Sequence, residues 1–135
     1  MDNQSRTAER ATVRKAQARV SRESAIFKTI IKAIQDKKGE RIVSLDLRNI
    51  EEAVADFFII CDAQSHIQVQ AIADHVVEEV YKNCKEKPFH SEPGQQWTLV
   101  DYVNIVVHVF QTEERNFYDI ETLWMDADKE EHPSA

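Results

Sequence analysis

Two short runs in this chain are apolar at almost every position. They are FFIIC at residues 57–61 and IVVHVF at residues 105–110. Successive side chains of a strand point to opposite faces of the sheet, so a run that is apolar throughout must be covered on both sides. Both runs are therefore predicted to be buried strands inside a sheet. The chain has 135 residues, which fits one domain built around such a sheet.

The segment before the second run reads WTLVDY and alternates between two faces. One face carries Trp97, Leu99 and Asp101, and the other carries Thr98, Val100 and Tyr102. Only a short connection separates residues 97–102 from residues 105–110, so the two segments are predicted to form a hairpin. Val103 does not readily adopt a positive φ, whereas Asn104 does. The left-handed position is therefore expected at Asn104, in a loop longer than two residues.

Hydrophobic periodicity predicts the remaining elements. In chain order they are a helix at 23–38, a strand at 41–47, a long helix at 65–83, a loop or edge strand at 89–96, a short helix at 113–118 and a last strand at 119–124. Residues from 126 onward are polar and are expected to fray. The fold class is therefore α/β, a single-domain mixed sheet of about five strands packed with helices.

Charge divides the chain into a basic start and an acidic body. The first 24 residues hold six basic and three acidic side chains, and the rest holds 11 basic and 21 acidic ones. Residues 1–22 contain few large apolar side chains, so a flexible or loosely helical basic arm is predicted there. The domain then covers residues 23–127, and a polar tail covers residues 128–135.

The same charge distribution restricts the kinds of partner. An acidic body suits a basic protein surface and is a poor binder of nucleic acid by itself, although negative charge can also serve solubility alone. In the basic arm, Arg14, Lys15 and Arg19 are candidates for a weak RNA contact. The alternative is that the arm is only a solvated tail.

Sequence features of common catalytic and metal sites are missing. Two glycines, Gly39 and Gly94, cannot form a phosphate-binding loop, and no Asp-x-Asp pair follows a strand of the predicted core. The five histidines show no zinc-ligand spacing with cysteine, and His108 is interpreted as a hydrogen-bonded core residue. These absences predict a binding module that is not an enzyme and has no metal or cofactor.

Two cysteines, Cys61 and Cys84, provide no disulfide framework and suit a reducing cytoplasm. No apolar run is long enough to span a membrane, and the polar N-terminus does not resemble a secretory signal. The expected location is therefore cytoplasmic.

Four blocks of sequence together resemble the ribosomal silencing factor family, also called the Iojap family. The blocks are DFFIICD at 56–62, the helix start at 65–74, WTLVDYVNIVVHVF at 97–110 and RNFYDIETLWMDA at 115–127. They follow the family's order and spacing over residues 26–127. The resemblance implies a nucleotidyltransferase-like mixed sheet that lacks the catalytic carboxylates of that fold.

The resemblance also implies a function. Family members bind the large ribosomal subunit through its protein fourteen, block joining of the small subunit and repress translation when nutrients are scarce. On this sequence, the family's docking region corresponds to Trp97, Leu99, Asp101 and Tyr102.

The sequence departs from the family pattern at Ile67, where the family has arginine, and at Val103-Asn104, where it has a Gly-Asp turn. Two other hypotheses remain beside the resemblance. One is a divergent nucleotidyltransferase with nucleotide and Mg²⁺ near Asp46 and Asp62, and the other is a generic dimeric adaptor. The free protein is expected to be a monomer or a homodimer.

Overall fold

The computed structural model describes the backbone of residues 3–135 and the side chains from residue 7 onward. Five helices and six strands occur within these residues. The helices are α1 (Asn3–Ala16), α2 (Ala25–Asp36), α3 (His66–Cys84), α4 (Thr112–Tyr118) and α5 (Ile120–Leu123). The strands are β1 (Glu40–Asp46), β2 (Phe57–Ala63), β3 (His90–Glu92), β4 (Trp97–Asp101), β5 (Ile105–Gln111) and β6 (Asp128–His132).

The strands form one mixed sheet in the order β3-β4-β5-β2-β1-β6. The two central strands, β2 and β5, run parallel to each other, and every other neighbouring pair is antiparallel. All of β2 is buried, as is β5 except for its last residue. The α/β class, the two buried strands and the hairpin of β4 with β5 are therefore confirmed.

The sixth strand corrects the prediction for the polar tail. Residues Asp128–His132 do not fray but pair antiparallel with β1, with Ser44 opposite Glu130. An edge strand needs only backbone hydrogen bonds to its neighbour, so its side chains can be polar and exposed. Charged side chains on such an edge also hinder pairing with another chain.

The predicted strand at 119–124 is wrong as well, because α5 lies there. Asp119 adopts a left-handed conformation with φ 44°, and its carboxylate accepts a hydrogen bond from the Thr122 hydroxyl at 2.6 Å. Ile120 and Trp124 both pack against the buried cluster on one sheet face. Their separation of four residues suits a helix as well as a strand, and a six-residue window does not separate the two.

The sheet has a different cover on each face. On the first face, α2 and α3 pack Ile30, Ile34, Ile72 and Val76 against the odd-numbered residues of β2 and β5. The second face carries a smaller cluster with Phe58, Ile60, Val106 and Phe110 at its centre. Trp97, Leu99 and Trp124 pack at the margin of this second cluster. We call this side of the sheet the second face.

The N-terminal segment was predicted to be flexible or loosely helical, and the structure has a helix that contacts the body. From residue 3 it forms α1, and its arginines reach carboxylates of the body. Arg22 similarly reaches Asp128 and Glu130 of β6. Four arginines of this segment, Arg10, Arg14, Arg19 and Arg22, therefore pair with acidic groups of the same chain. Residues 1 and 2 of the predicted arm lie outside the described residues.

Candidate functional site

Trp97, Leu99 and Asp101 lie together on the second face, as their alternation predicts. Their partners on β5 are Phe110, His108 and Val106, respectively. The Trp97 ring stacks on Phe110 with centroids 4.7 Å apart, and its Nε1–H donates to His108 Nδ1 at 3.3 Å. Trp97 is consequently half-buried and held in one orientation by its neighbours.

His108 is 5% exposed, so its predicted place in the core is confirmed. Burial lowers the pKa of His108 to about 4, which keeps the imidazole neutral near pH 7. The Trp97 N–H can only donate, so Nδ1 is the acceptor and the imidazole proton sits on Nε2. Within the described residues Nε2 has no hydrogen-bond partner. The expectation of a fully hydrogen-bonded histidine is thus met at one nitrogen only.

Asp101 is 8% exposed and is the main charged group on this part of the second face. Its two oxygens accept from Arg10 Nε at 2.7 Å and Arg10 Nη2 at 3.0 Å. The Asp101 carboxylate also accepts from the Val103 backbone N–H at 2.7 Å. Asp101 therefore binds a cation and organises the turn after β4 at the same time.

The left-handed residue of that turn is Val103, with φ 74°, and the prediction of Asn104 is wrong. The Asn104 N–H donates to the Tyr102 carbonyl at 3.0 Å, which closes a γ-turn around Val103. Asn104 has a different task, because its side-chain amide donates to the Ala18 carbonyl at 3.0 Å. The loop is longer than two residues, as predicted. The family's glycine at position 103 was the sequence signal for the strained position.

Tyr102 is separated from the other three predicted docking residues. Its side chain is 4% exposed and packs in the cluster beneath α2 and α3, on the opposite face of the sheet. Its hydroxyl has no partner among the described residues, and burial raises the pKa of Tyr102 well above its usual value. The predicted set of four is therefore brought together only as a set of three.

Two of the three predicted RNA contacts are engaged within the chain. Arg14 donates to the Ala53 carbonyl at 2.9 Å and to Asp56 at 3.3 Å. Arg19 reaches the same Asp56 carboxylate at 3.1 Å. Asp56 is almost completely buried, so these arginines neutralise a charge inside the fold. Lys15 is exposed on α1.

The structure shows an exposed apolar surface that the sequence did not identify. Phe117 is 79% exposed, and Tyr118, Leu123 and Met125 of the same segment are exposed too. The Tyr118 ring lies 5.2 Å from Trp97, so this surface continues from the Trp97 side of the second face. We call these five residues, Trp97, Phe117, Tyr118, Leu123 and Met125, the apolar ledge. The segment belongs to one of the blocks that resemble the family. Periodicity over two short helices, however, does not predict which of its side chains are exposed.

The two carboxylates of the nucleotidyltransferase hypothesis lie at opposite ends of the β1–β2 pair. Asp46 faces Phe57, whereas Asp62 follows five residues later along β2, about 17 Å away at strand spacing. Asp62 is buried between Arg115 at 3.0 Å and Arg41 at 2.8 Å, and Asp46 pairs with Arg48 at 2.7 Å. Each carboxylate is neutralised by arginine, and the two are too far apart to share a metal centre.

One cluster of possible metal ligands occurs in the described part of the chain. Asp36, His75 and Glu79 place their ligand atoms within 4.8 Å of one another between α2 and α3. Asp36 already bonds His75 Nε2 at 3.2 Å and Lys32 Nζ at 3.2 Å, and the hydrogen bond from His75 lowers the pKa of Asp36. This cluster lies on the first face, away from the second face and the apolar ledge. Among helices in residues 3–135, none has the length and apolar character for crossing a membrane.

Comparisons with known proteins agree with the fold and with the sequence blocks. A family model described as "Ribosomal silencing factor during starvation" matches residues 20–135. The chain is 40% identical over 106 residues to "Ribosomal silencing factor RsfS" of Bacillus subtilis, covering 78% of this chain and 89% of that protein.

Two crystal structures are similar in three dimensions. One, of a Chromobacterium violaceum protein, has a TM-score of 0.68 at 35% identity and covers 73% of this chain and 82% of that one. The other, from Bacillus halodurans, has a TM-score of 0.63 at 36% identity and covers 73% and 92%, respectively. Because the family model spans most of the described domain and relatives exceed a third in identity, this chain belongs to the ribosomal silencing factor family.

Proposed function

We propose that this protein binds the large ribosomal subunit through its protein fourteen. The bound protein blocks joining of the small subunit and so represses translation under nutrient limitation. It acts by binding and occlusion and has no catalytic role. The observation that carries the proposal is the apolar ledge, which places exposed aromatic and aliphatic side chains next to the Trp97–Leu99–Asp101 row of the second face.

The chemistry of the ledge supports a protein partner. Exposed apolar patches rimmed by polar groups mark interaction surfaces, and the few residues that provide most of the binding energy at an interface often include aromatic side chains. Exposed acidic residues, including Asp119 and Asp126, flank the ledge within the same segment. With 24 acidic and 17 basic residues, the chain has a net charge of −7, which favours approach to a basic ribosomal protein.

Phe117 offers a sharper test of this proposal than Trp97. Trp97 is half-buried and stacked on Phe110, so its replacement by alanine would change folding and binding together. Phe117 is 79% exposed and contacts Tyr118 edge-on, so Phe117→Ala should leave the fold intact. Tyr81→Ala is a matched control, because Tyr81 is also an exposed aromatic residue but lies on α3 over the first face.

The measurement is co-sedimentation of each purified protein with isolated large and small ribosomal subunits. We expect the unmodified protein to bind large subunits selectively, and Phe117→Ala to weaken that binding about tenfold, or about 1.4 kcal/mol. Tyr81→Ala should bind normally. Binding to small subunits would contradict the proposed partner. Equal binding of the Phe117→Ala and unmodified proteins to large subunits would contradict the proposed surface.

A further inference from the structure

Helix α1 lies across the part of the second face that carries Asp101, at the other end of β4 from Trp97. Together with the segment that carries Ala53 and Val54, it encloses a cleft of about 430 Å³. The floor of this cleft is the sheet itself, with Phe58, Leu99 and His108 among its lining residues. Two members of the proposed docking row, Leu99 and Asp101, therefore lie beneath α1.

Charge holds α1 in place more than apolar packing does. Arg10 contributes most, since it binds Asp101 through two nitrogens and also donates to the Val54 and Val103 carbonyls at 2.6 and 2.8 Å. Arg14 adds its bonds to Ala53 and Asp56. In the described part of the chain, neither apolar cluster includes a residue of α1. A contact of this kind can open without exposing a hydrophobic core.

The face below α1 also retains an unused binding group. His108 lines the cleft, is 95% buried and carries an Nε2–H that has no acceptor within the described residues. A buried donor without a partner is unfavourable, so an acceptor that reached Nε2 once α1 had left the face would remove this cost. The cleft combines apolar walls, one carboxylate and one free donor, which are the elements of a protein-binding surface.

We propose that α1 competes with the ribosomal partner for the docking face, which is the part of the second face that carries Trp97, Leu99 and Asp101. In the free protein, Arg10 binds Asp101. In the complex, a cationic side chain of the basic ribosomal partner binds Asp101 in place of Arg10. This inference rests on the proposed function and adds a regulatory step to it. The partner binds only the fraction of molecules in which α1 has left the face, so α1 lowers the apparent affinity by that fraction.

Arg10→Gln in the full-length protein tests the competition. The substitution removes the guanidinium bonds and keeps a polar side chain of moderate length, so α1 should leave the face more often. Lys82→Gln is the matched control, because it makes the same change in charge at an exposed position of α3. Thermal unfolding of both variants, followed by circular dichroism, verifies that the domain remains folded.

Binding to isolated large subunits is then measured at equilibrium for the three proteins. We expect Arg10→Gln to bind about tenfold more tightly than the unmodified protein, and Lys82→Gln to bind as the unmodified protein does. Equal binding of Arg10→Gln would overturn the competition and would show that α1 does not affect docking. Weaker binding would also overturn it and would show that α1 is part of the docking surface. If none of the proteins binds either subunit, the proposed function itself fails, and the competition fails with it.

A second measurement does not depend on any substitution. Amide hydrogen exchange of the unmodified protein is compared with and without bound large subunits. Release of α1 predicts faster exchange at residues 10–16 in the complex, whereas α3 should exchange at an unchanged rate. Slower or unchanged exchange at residues 10–16 on binding would overturn the proposal.

Discussion

Lowering the pH from 7 to 5 should destabilise the folded protein by about 2 kcal/mol through His108 alone. Burial lowers the pKa of His108 to about 4 in the folded state, whereas the unperturbed value is 6.5. The unfolded state therefore binds more protons than the folded state between pH 4 and 6.5. By linkage, stability falls as the pH decreases through this window, and the loss is complete below pH 4.

The magnitude follows from the two pKa values. At pH 5 this histidine is almost fully protonated in the unfolded chain but only about one-tenth protonated in the fold, which gives a loss of about 2 kcal/mol relative to pH 7. The full shift corresponds to about 3 kcal/mol. Protonation at Nδ1 would also place two donors against each other, so the bond from Trp97 would break. Acid should therefore disturb the Trp97 side of the second face before the rest of the sheet.

Urea unfolding at pH 7, 6 and 5, followed by tryptophan fluorescence, measures this effect. His108→Gln is the comparison, because glutamine keeps a polar side chain with a hydrogen-bond donor and acceptor but does not titrate. The pH-dependent loss should be about 2 kcal/mol smaller in His108→Gln than in the unmodified protein. His132, whose pKa burial also lowers, contributes equally to both proteins and cancels. Equal pH dependence in the two proteins would refute the assignment of His108 as a buried neutral imidazole.

Two further predictions concern buried groups elsewhere. Asp56→Asn should lower the free energy of unfolding by about 2–3 kcal/mol in chemical denaturation, because Arg14 and Arg19 lose their buried counter-charge. Asp128→Asn, which removes an exposed partner of Arg22, should change the free energy of unfolding by less than about 1 kcal/mol. Similar losses in both variants would contradict this explanation. Burial raises the pKa of the Cys61 thiol to about 12, whereas Cys84 is half-exposed. A thiol reagent at pH 8 should therefore modify only Cys84 in the folded protein, and both cysteines in urea. Rapid modification of Cys61 in the folded state would show that β2 is less protected than the structure indicates.

The elements predicted correctly are those whose signal is local. The runs at 57–61 and 105–110 are apolar on both faces, and this property alone requires a central position in a sheet. The strand β6 could not be found in this way, because its pairing depends on the free edge of β1 and not on its own side chains. The helix α5 was missed for a related reason, since Ile120 and Trp124 fit either a strand or a helical turn.

The candidate site shows the same division. Alternation correctly placed Trp97, Leu99 and Asp101 on one face, and it also placed Tyr102 on the other. The resemblance nevertheless grouped Tyr102 with the first three, because a sequence block does not distinguish the two sides of a strand. The exposure of Phe117 and its neighbours depends on how α4 and α5 lie against the sheet, and no pattern within those few residues specifies it.

The sequence by itself determined the sheet's central strands, the faces of β4 and the family, because these depend on backbone geometry and on residue order. Only the tertiary structure decided the role of the basic N-terminal residues. Arg10 and Asp101 are separated by 91 positions, yet their side chains meet at 2.7 Å on the second face. Local periodicity contains no information about such an ion pair, because it forms only when the fold brings distant segments together. Through this contact, a segment predicted to be flexible or loosely helical covers part of the proposed docking face.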